Sequence, residues 1–280
     1  MNHQIAEASD RTETASDILS PTPAAAMSAT LDCAIAPQTG DELPHLWHWI
    51  FFRPAVPQHL IAEDGHPRKG GFLPDLGLPR RMWAGGRLRF LAPLTIGSEI
   101  SRESRILSVS EKEGRTGKLA FVTVNRQIFC AGALAVDEEQ DIVYRAPAVP
   151  GAPAPAPAAA PDNAQWRREI APNEVLMFRY SALTFNGHRI HYDKPYAMQA
   201  EGYPDLVVHG PLIATLLMDL VRRHRPDAQV LRFSFKAMRP SFIGNALLLC
   251  GNPSPDGKTV ELWTADHEGW MTMSARATLA

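Results

Sequence analysis

The residues best suited to chemistry lie in two short stretches of the second half of the chain. The first is Phe185-Asn186-Gly187-His188-Arg189-Ile190-His191-Tyr192-Asp193, and the second is Val207-Val208-His209-Gly210-Pro211-Leu212-Ile213. Imidazole titrates near neutral pH, so His191 is suited to moving protons. Asn186 donates and accepts hydrogen bonds but cannot take up a proton, which suits it to positioning water. A glycine and a proline opening an apolar run mark a helix start, where the backbone N–H of Gly210 can face an oxygen that gains negative charge. The two stretches together suggest a pocket in which a carbonyl oxygen meets that helix while the imidazole acts on neighbouring carbons. His188 and His209 are pocket-lining candidates. With no acidic partners at ligand spacing, the histidines are not expected to form a metal site.

The element that must present Gly210 is the clearest in the chain. Leu212, Ile213, Leu216, Leu217, Leu220 and Val221 fall on one stripe at helical spacing. Arg222, Arg223, His224 and Arg225 suit the negative end of the helix dipole, and Pro226 ends the helix. Strand-like segments follow at 230–238, 246–251, 259–264 and 270–279. In the first half, segments at 87–91, 100–109, 119–124, 127–136 and 138–144 read as antiparallel strands, with a charged hairpin turn at 111–118. The aromatic run 46–52 reads as a buried strand, and 64–86, thick with Gly and Pro, as a long loop. Residues up to about 15 are expected to be frayed, followed by a helix within 16–29 that is firm after Pro23.

Between the halves, the fifteen residues 147–161 hold six Pro and seven Ala, the composition of an extended linker. The stretch Arg89 to Gly97 is echoed by Lys236 to Gly244: a basic residue, three residues, Pro, two residues, Ile-Gly. The expected organisation is therefore a flexible start with a helix onset (1–28), a first domain (29–146), a linker (147–163) and a second, catalytic domain (164–280). One long helix followed by antiparallel strands, apparently doubled, predicts an α+β double hot-dog fold.

The chain has 280 residues, 45% of them hydrophobic, and a formal charge of −2. A sizeable core can form, and general binding to nucleic acid or anionic membrane is not expected. Three dispersed cysteines and no secretory signal or membrane-length apolar run point to a soluble protein of the cytoplasm.

The spacing from Asn186 to His191, followed by Val208-His209-Gly210, resembles the signature of the MaoC-type, or hydratase-2, hot-dog dehydratases. The likeness extends from about Ala29 to the C-terminus. It is carried also by Pro79-Arg80-Arg81-Met82-Trp83-Ala84-Gly85-Gly86, which resembles a two-domain subgroup of mesaconyl-C4-CoA hydratases, itaconyl-CoA hydratases and mitochondrial-type hydroxyacyl-thioester dehydratases. The resemblance implies reversible addition of water across the double bond of an enoyl-CoA, with coenzyme A part of the substrate and no separate cofactor. A branched C5 dicarboxylic acyl group is the expected one. Fatty-acid dehydration, thioester hydrolysis and non-catalytic acyl-CoA binding are the alternatives.

The resemblance assigns His191 the acid/base role and Gly210 the oxyanion donor. It puts Asn186 where the family has an aspartate, so either Asn186 orients the water or Asp193 supplies a carboxylate. Arg232 and Lys236 share one strand face and are candidates for holding coenzyme A; Arg239, Arg80 and Arg81 are weaker ones, the last two beside Trp83, where a guanidinium pair next to an aromatic can hold a phosphate or an adenine. Arg189 is the candidate for a second carboxylate on the acyl group. One active site per chain is expected, with a monomer or homodimer of the doubled unit.

Overall fold

The computed structural model describes residues 11–114, 117–146 and 156–280. Ten strands form one antiparallel sheet. They are β1 (Thr12–Ile18), β2 (Arg80–Phe90), β3 (Glu99–Gly114), β4 (Gly117–Cys130), β5 (Ala133–Arg145), β6 (Trp166–Ile170), β7 (Val230–Ala237), β8 (Leu247–Pro253), β9 (Thr259–Ala265) and β10 (Met271–Leu279). Their order across the sheet is β1-β3-β4-β5-β2-β7-β10-β9-β8-β6. The second half therefore repeats the first in mirror order about the β2–β7 seam. At that seam Leu88 stands opposite Phe233 and Arg89 opposite Arg232.

The helices follow the same plan. Helix α1 (Pro21–Thr30) opens the first half, and α2 (Glu174–Thr184) opens the second. A short helix α3 (Lys194–Gln199) and the long α4 (Gly210–His224) complete the set. The repeated Pro-x-x-Ile-Gly element anchors both halves in the same way. Ile96 donates its N–H to Asp41 O and Leu43 donates to Leu94 O; Ile243 donates to Leu206 O and Val208 to Ser241 O. Gly97 and Gly244 both take positive φ (+99° and +78°), a conformation costly for other residues.

This correspondence puts Leu43 where the second half has Val208. The start of α4 then corresponds to the 3-10 turn Trp47–Ile50 in the first half. There the chain leaves the turn for an irregular segment instead of continuing as a long helix. In the second half α4 packs on β6, β8, β9 and β10, and every residue from Leu212 to Val221 is buried. The expected single apolar stripe is thus a helix buried all round, with Thr215 donating to Pro211 O and Asp219 held by arginines.

Several expectations are corrected. The aromatic run 46–52 is not a strand: Leu46 and Phe52 are left-handed (φ +69° and +53°), and Trp47, Ile50 and Phe51 pack as a compact turn in the core. Residues 12–15 are not frayed but belong to β1, which pairs along β3 from Thr12 to Ile18. Arg80 to Gly86 lie in β2, not in a loop. Gly85 stands at a register shift between β2 and β5 and faces Lys236 of β7 across the seam, where a Cβ would lie 2.6 Å from Phe235 O. Linker residues 147–155 lie outside the described residues, while Ala159 bridges Trp270.

Candidate active site

Helix α2 is capped at its start by Asn173, whose side chain accepts the Leu176 N–H, and ends at Phe185 in the left-handed conformation (φ +53°). That turn throws the chain into the loop 186–193. Asn186 Oδ1 accepts the backbone N–H of His188 (3.0 Å), which leaves the amide Nδ2 hydrogens as its free donors. Residues Arg189–His191 make one 3-10 turn, and Val207 N–H donates to Ile190 O. Asp193 then caps α3 by accepting from Tyr196 N–H and also receives both Arg189 Nε and a terminal nitrogen of Arg189.

His191 is buried, and its Nδ1–H donates to Val207 O at 2.7 Å. This fixes the tautomer with a lone pair on Nε2. Burial, and next the neighbouring His188, push His191 down to about 3, so it is neutral at physiological pH. His188 is likewise pushed down to about 3 by burial and by His66. His209 stacks on His191 with ring centroids 3.7 Å apart, and its Nε2 shares a 2.8 Å hydrogen bond with Ser181 Oγ. His209 is also the N-cap of α4 without capping it through its side chain, so the first-turn N–H of Gly210 lacks a side-chain partner. A Cβ at Gly210 would meet only Trp83 O, at 3.9 Å.

The first half reaches over to this loop. Gly65 crosses Gly187 so closely that a Cβ at Gly65 would lie 1.8 Å from Gly187 O. Arg189 donates its backbone N–H to Asp64 O and a guanidinium N–H to Glu63 O. The same turn brings His66 against His188, with centroids 4.1 Å apart, and Asp64 Oδ2 within 3.1 Å of His66 Nδ1. Burial favours the neutral acid at Asp64, but the hydrogen bond and charge of His66 outweigh it and hold the carboxyl well below its usual range. The ligand atoms of Asp64, His66 and His188 lie within 4.8 Å of one another, a donor set that a zinc or copper ion accepts, although His66 Nδ1 is already engaged by Asp64. Sequence reasoning missed Asp64 and His66, because more than a hundred residues separate them from the motif they complete.

A cavity of 920 Å³ opens beside the loop. Asn186, Gly187, Arg189 and Pro211 form part of its wall, as do Trp83, Trp49 and His66, whereas His188, His191, His209 and Gly210 are not wall residues but sit one or two positions from one, so the expectation that His188 and His209 line the pocket is corrected. The cavity extends onto the concave face of the first half's strands, the region that α4 fills in the second half.

Other site candidates lie elsewhere or are occupied. Arg232 and Lys236 point to solvent on the face opposite Phe233 and Phe235, whose rings face the core and, through Phe235, the cavity-lining Trp49 and Trp83. Strand alternation puts them outside, so they do not line the cavity. Arg80 is paired with Glu201 at 2.7 Å and Arg239 with Asp266, and Arg81 is not a wall residue of the cavity. Trp83 does line the cavity, as an aromatic wall edge-on to Trp49, with its N–H donated to Gly85 O. Arg189 lines the cavity too, but Asp193 and the Tyr196 ring occupy its guanidinium. Asp193 itself is engaged by Arg189 and by the Tyr196 N–H of α3.

A sheet of two mirrored five-stranded halves with one long central helix is the double hot-dog architecture. Residues 46–243 match the hydroxyacyl-thioester dehydratase type 2 family. The chain is 46% identical over 271 residues to a mesaconyl-C4-CoA hydratase of Chloroflexus aurantiacus, covering 96% of this chain and 95% of that one. It is 28% identical to a mitochondrial hydroxyacyl-thioester dehydratase type 2 of Schizosaccharomyces pombe, over 84% of this chain and 88% of that one. Among solved structures, HtdX of Mycobacterium tuberculosis superposes with a TM-score of 0.68 at 18% identity, covering 95% of this chain and 98% of that one. The chain belongs to the hydroxyacyl-thioester dehydratase type 2 family, and it is an enzyme of the hydro-lyase class. No helix among the described residues is long and apolar enough to cross a membrane.

Proposed function

We propose that the protein hydrates an α,β-unsaturated acyl-CoA of the branched C5 dicarboxylic type, as the name of its Chloroflexus relative implies for that enzyme. The observation that carries the reading is a neutral, orientationally locked imidazole, His191, in the loop that runs to the uncapped start of α4. The Gly210 N–H receives the thioester oxygen as enolate charge builds on it. Asn186 donates through Nδ2 to a water oxygen, and His191 Nε2 takes a proton from that water as it attacks the β-carbon. The imidazolium of His191 then returns that proton to the α-carbon as the enolate collapses, which restores the neutral imidazole, and dehydration runs through the same groups in reverse.

The carboxylate that the family motif places at position 186 has a substitute from the other half. Asp64 fixes His66, and His66 packs against His188, next to His191, with ring centroids 5.4 Å apart. Since β2 and β7 join the halves within one chain, no second copy is needed to complete the site. A homodimer would carry one such site per chain. Three unpaired cysteines suit a cytoplasmic location.

The test is a panel of mesaconyl-C4-CoA, itaconyl-CoA, crotonyl-CoA and a longer enoyl-CoA, followed by loss of the conjugated-thioester absorbance. Fastest turnover of a C5 dicarboxylic thioester supports the reading; preference for the long chain would move the enzyme to fatty-acid metabolism.

A further inference from the structure

The concave face of the first half carries a feature that the hydration chemistry above does not use. Along β3, β4 and β5 the inward register is apolar at both ends: Ile100 and Ile106, Val124 and Ile128, Val136 and Ile142 are buried. Between them, all three strands turn polar at the same level. Ser104 stands opposite Arg126, and Arg126 stands opposite Glu138, with Arg102 one inward position along β3. Arg102, Arg126 and Glu138 all line the cavity that begins at Asn186.

Glu138 is fully satisfied. It meets His48 Nε2 at 3.1 Å and accepts hydrogen bonds from Trp49 Nε1 at 3.0 Å and from Gln140 at 2.7 Å. The cations are not. Arg102 Nε, Arg126 Nε and Ser104 Oγ are buried and have no hydrogen-bond partner among the described residues. Among the described residues Arg102 has an ion pair with Glu13 at 3.3 Å and lies over the ring of Phe52. Burial, and next the charge of Arg126, push Arg102 down to about 10. Glu138 acts electrostatically on both guanidinium groups, but His48 also engages it, and two cations beside one shared carboxylate between apolar layers leave a positive charge that a further anion completes. A long hydrocarbon chain would bury them without compensation, whereas a carboxylate fits their planar donor geometry.

We propose that Arg102 and Arg126 form the receptor for the free carboxylate of a dicarboxylic acyl-CoA, with Ser104 as an accessory donor, and that they set the enzyme's preference for such substrates. This rests on the hydratase reading above and names the part of the cavity that selects the acyl group. It moves the role of carboxylate receptor from Arg189, which Asp193 already neutralises, to the opposite half of the chain.

The experiment compares kcat/KM for mesaconyl-C4-CoA and crotonyl-CoA in the wild type, Arg102→Met, Arg126→Met and Arg126→Lys. Loss of a charge-assisted contact lowers the mesaconyl-to-crotonyl ratio by about 30-fold in each Met variant, mostly through KM, and by less in Arg126→Lys. If the wild type prefers mesaconyl-C4-CoA but the Met variants keep that ratio, or lose both activities in parallel while Arg126→Lys keeps both, the receptor assignment is overturned and the hydratase reading stands. If the wild type hydrates crotonyl-CoA and no dicarboxylic thioester, the substrate reading falls and the receptor with it.

Discussion

Asn186 is an amide at the position where the resemblance to the hydratase-2 motif expects an acid. Its Oδ1 accepts the His188 N–H within the loop, and its two amide hydrogens have no partner among the described residues. That makes it a donor to water and not a base. Asn186→Ala therefore lowers kcat by about 10- to 100-fold while KM changes little, because the water is lost from its place and acyl-CoA binding is not. Steady-state kinetics on mesaconyl-C4-CoA checks it; a change confined to KM would mean that Asn186 binds substrate instead. The motif was legible in sequence because Asn186, His191, His209 and Gly210 are local. Asp64, His66, Arg102, Arg126 and Glu138 were not, since each reaches the site through long-range pairing. One signal was present: polar residues at inward positions of strands otherwise apolar at period two, as at Arg102, Arg126 and Glu138.

At the scale of elements, α4 was readable because its apolar spacing, Pro211 and terminal arginines all agree. Tertiary packing adds what the dipole argument lacked. Asp219, 2% exposed, is gripped by Arg168 of β6 and by Arg222 and Arg223 of its own last turns. Arg223 also donates to Leu31 O and Asp32 O after α1, tying the helix to the first half. Removing a buried carboxylate from such a cluster leaves unpaired cations, so Asp219→Ala costs about 3–5 kcal/mol in urea unfolding. A loss under about 1 kcal/mol would show that water takes over the arginines. β1 escaped sequence reading because its residues, Thr-Glu-Thr-Ala-Ser-Asp-Ile, carry no apolar period; only pairing with β3 makes it a strand. The aromatic run 46–52 misled in the other direction, as burial at the core outweighed β-propensity.

For the whole molecule, the buried neutral histidines set a pH dependence of stability. His188 and His191 titrate near pH 3 when folded and near 6.5 when unfolded. Below pH 6.5 the unfolded chain binds more protons, so stability falls as pH drops from about 6.5 toward about 3 and is fully present above that range. Each group contributes a slope of up to about 1.4 kcal/mol per pH unit. Urea unfolding of His191→Asn between pH 4 and 7 shows a shallower fall than the wild type; parallel curves would mean that His191 is protonated in the fold. The doubled architecture was legible from the Pro-x-x-Ile-Gly repeat and the linker. The asymmetry between the halves was not, because the shortening of the first half's central helix to Trp47–Ile50, with a cavity in its place, leaves no local mark.

The central claim is that His191 moves the proton in hydration of an enoyl-CoA. Its most direct test is the rate of mesaconyl-C4-CoA hydration by the wild type and by His191→Ala, with folding checked by circular dichroism. The account predicts a fall in kcat of about 10²- to 10⁴-fold in a folded variant. A folded His191→Ala enzyme that hydrates the thioester at the wild-type rate would contradict it.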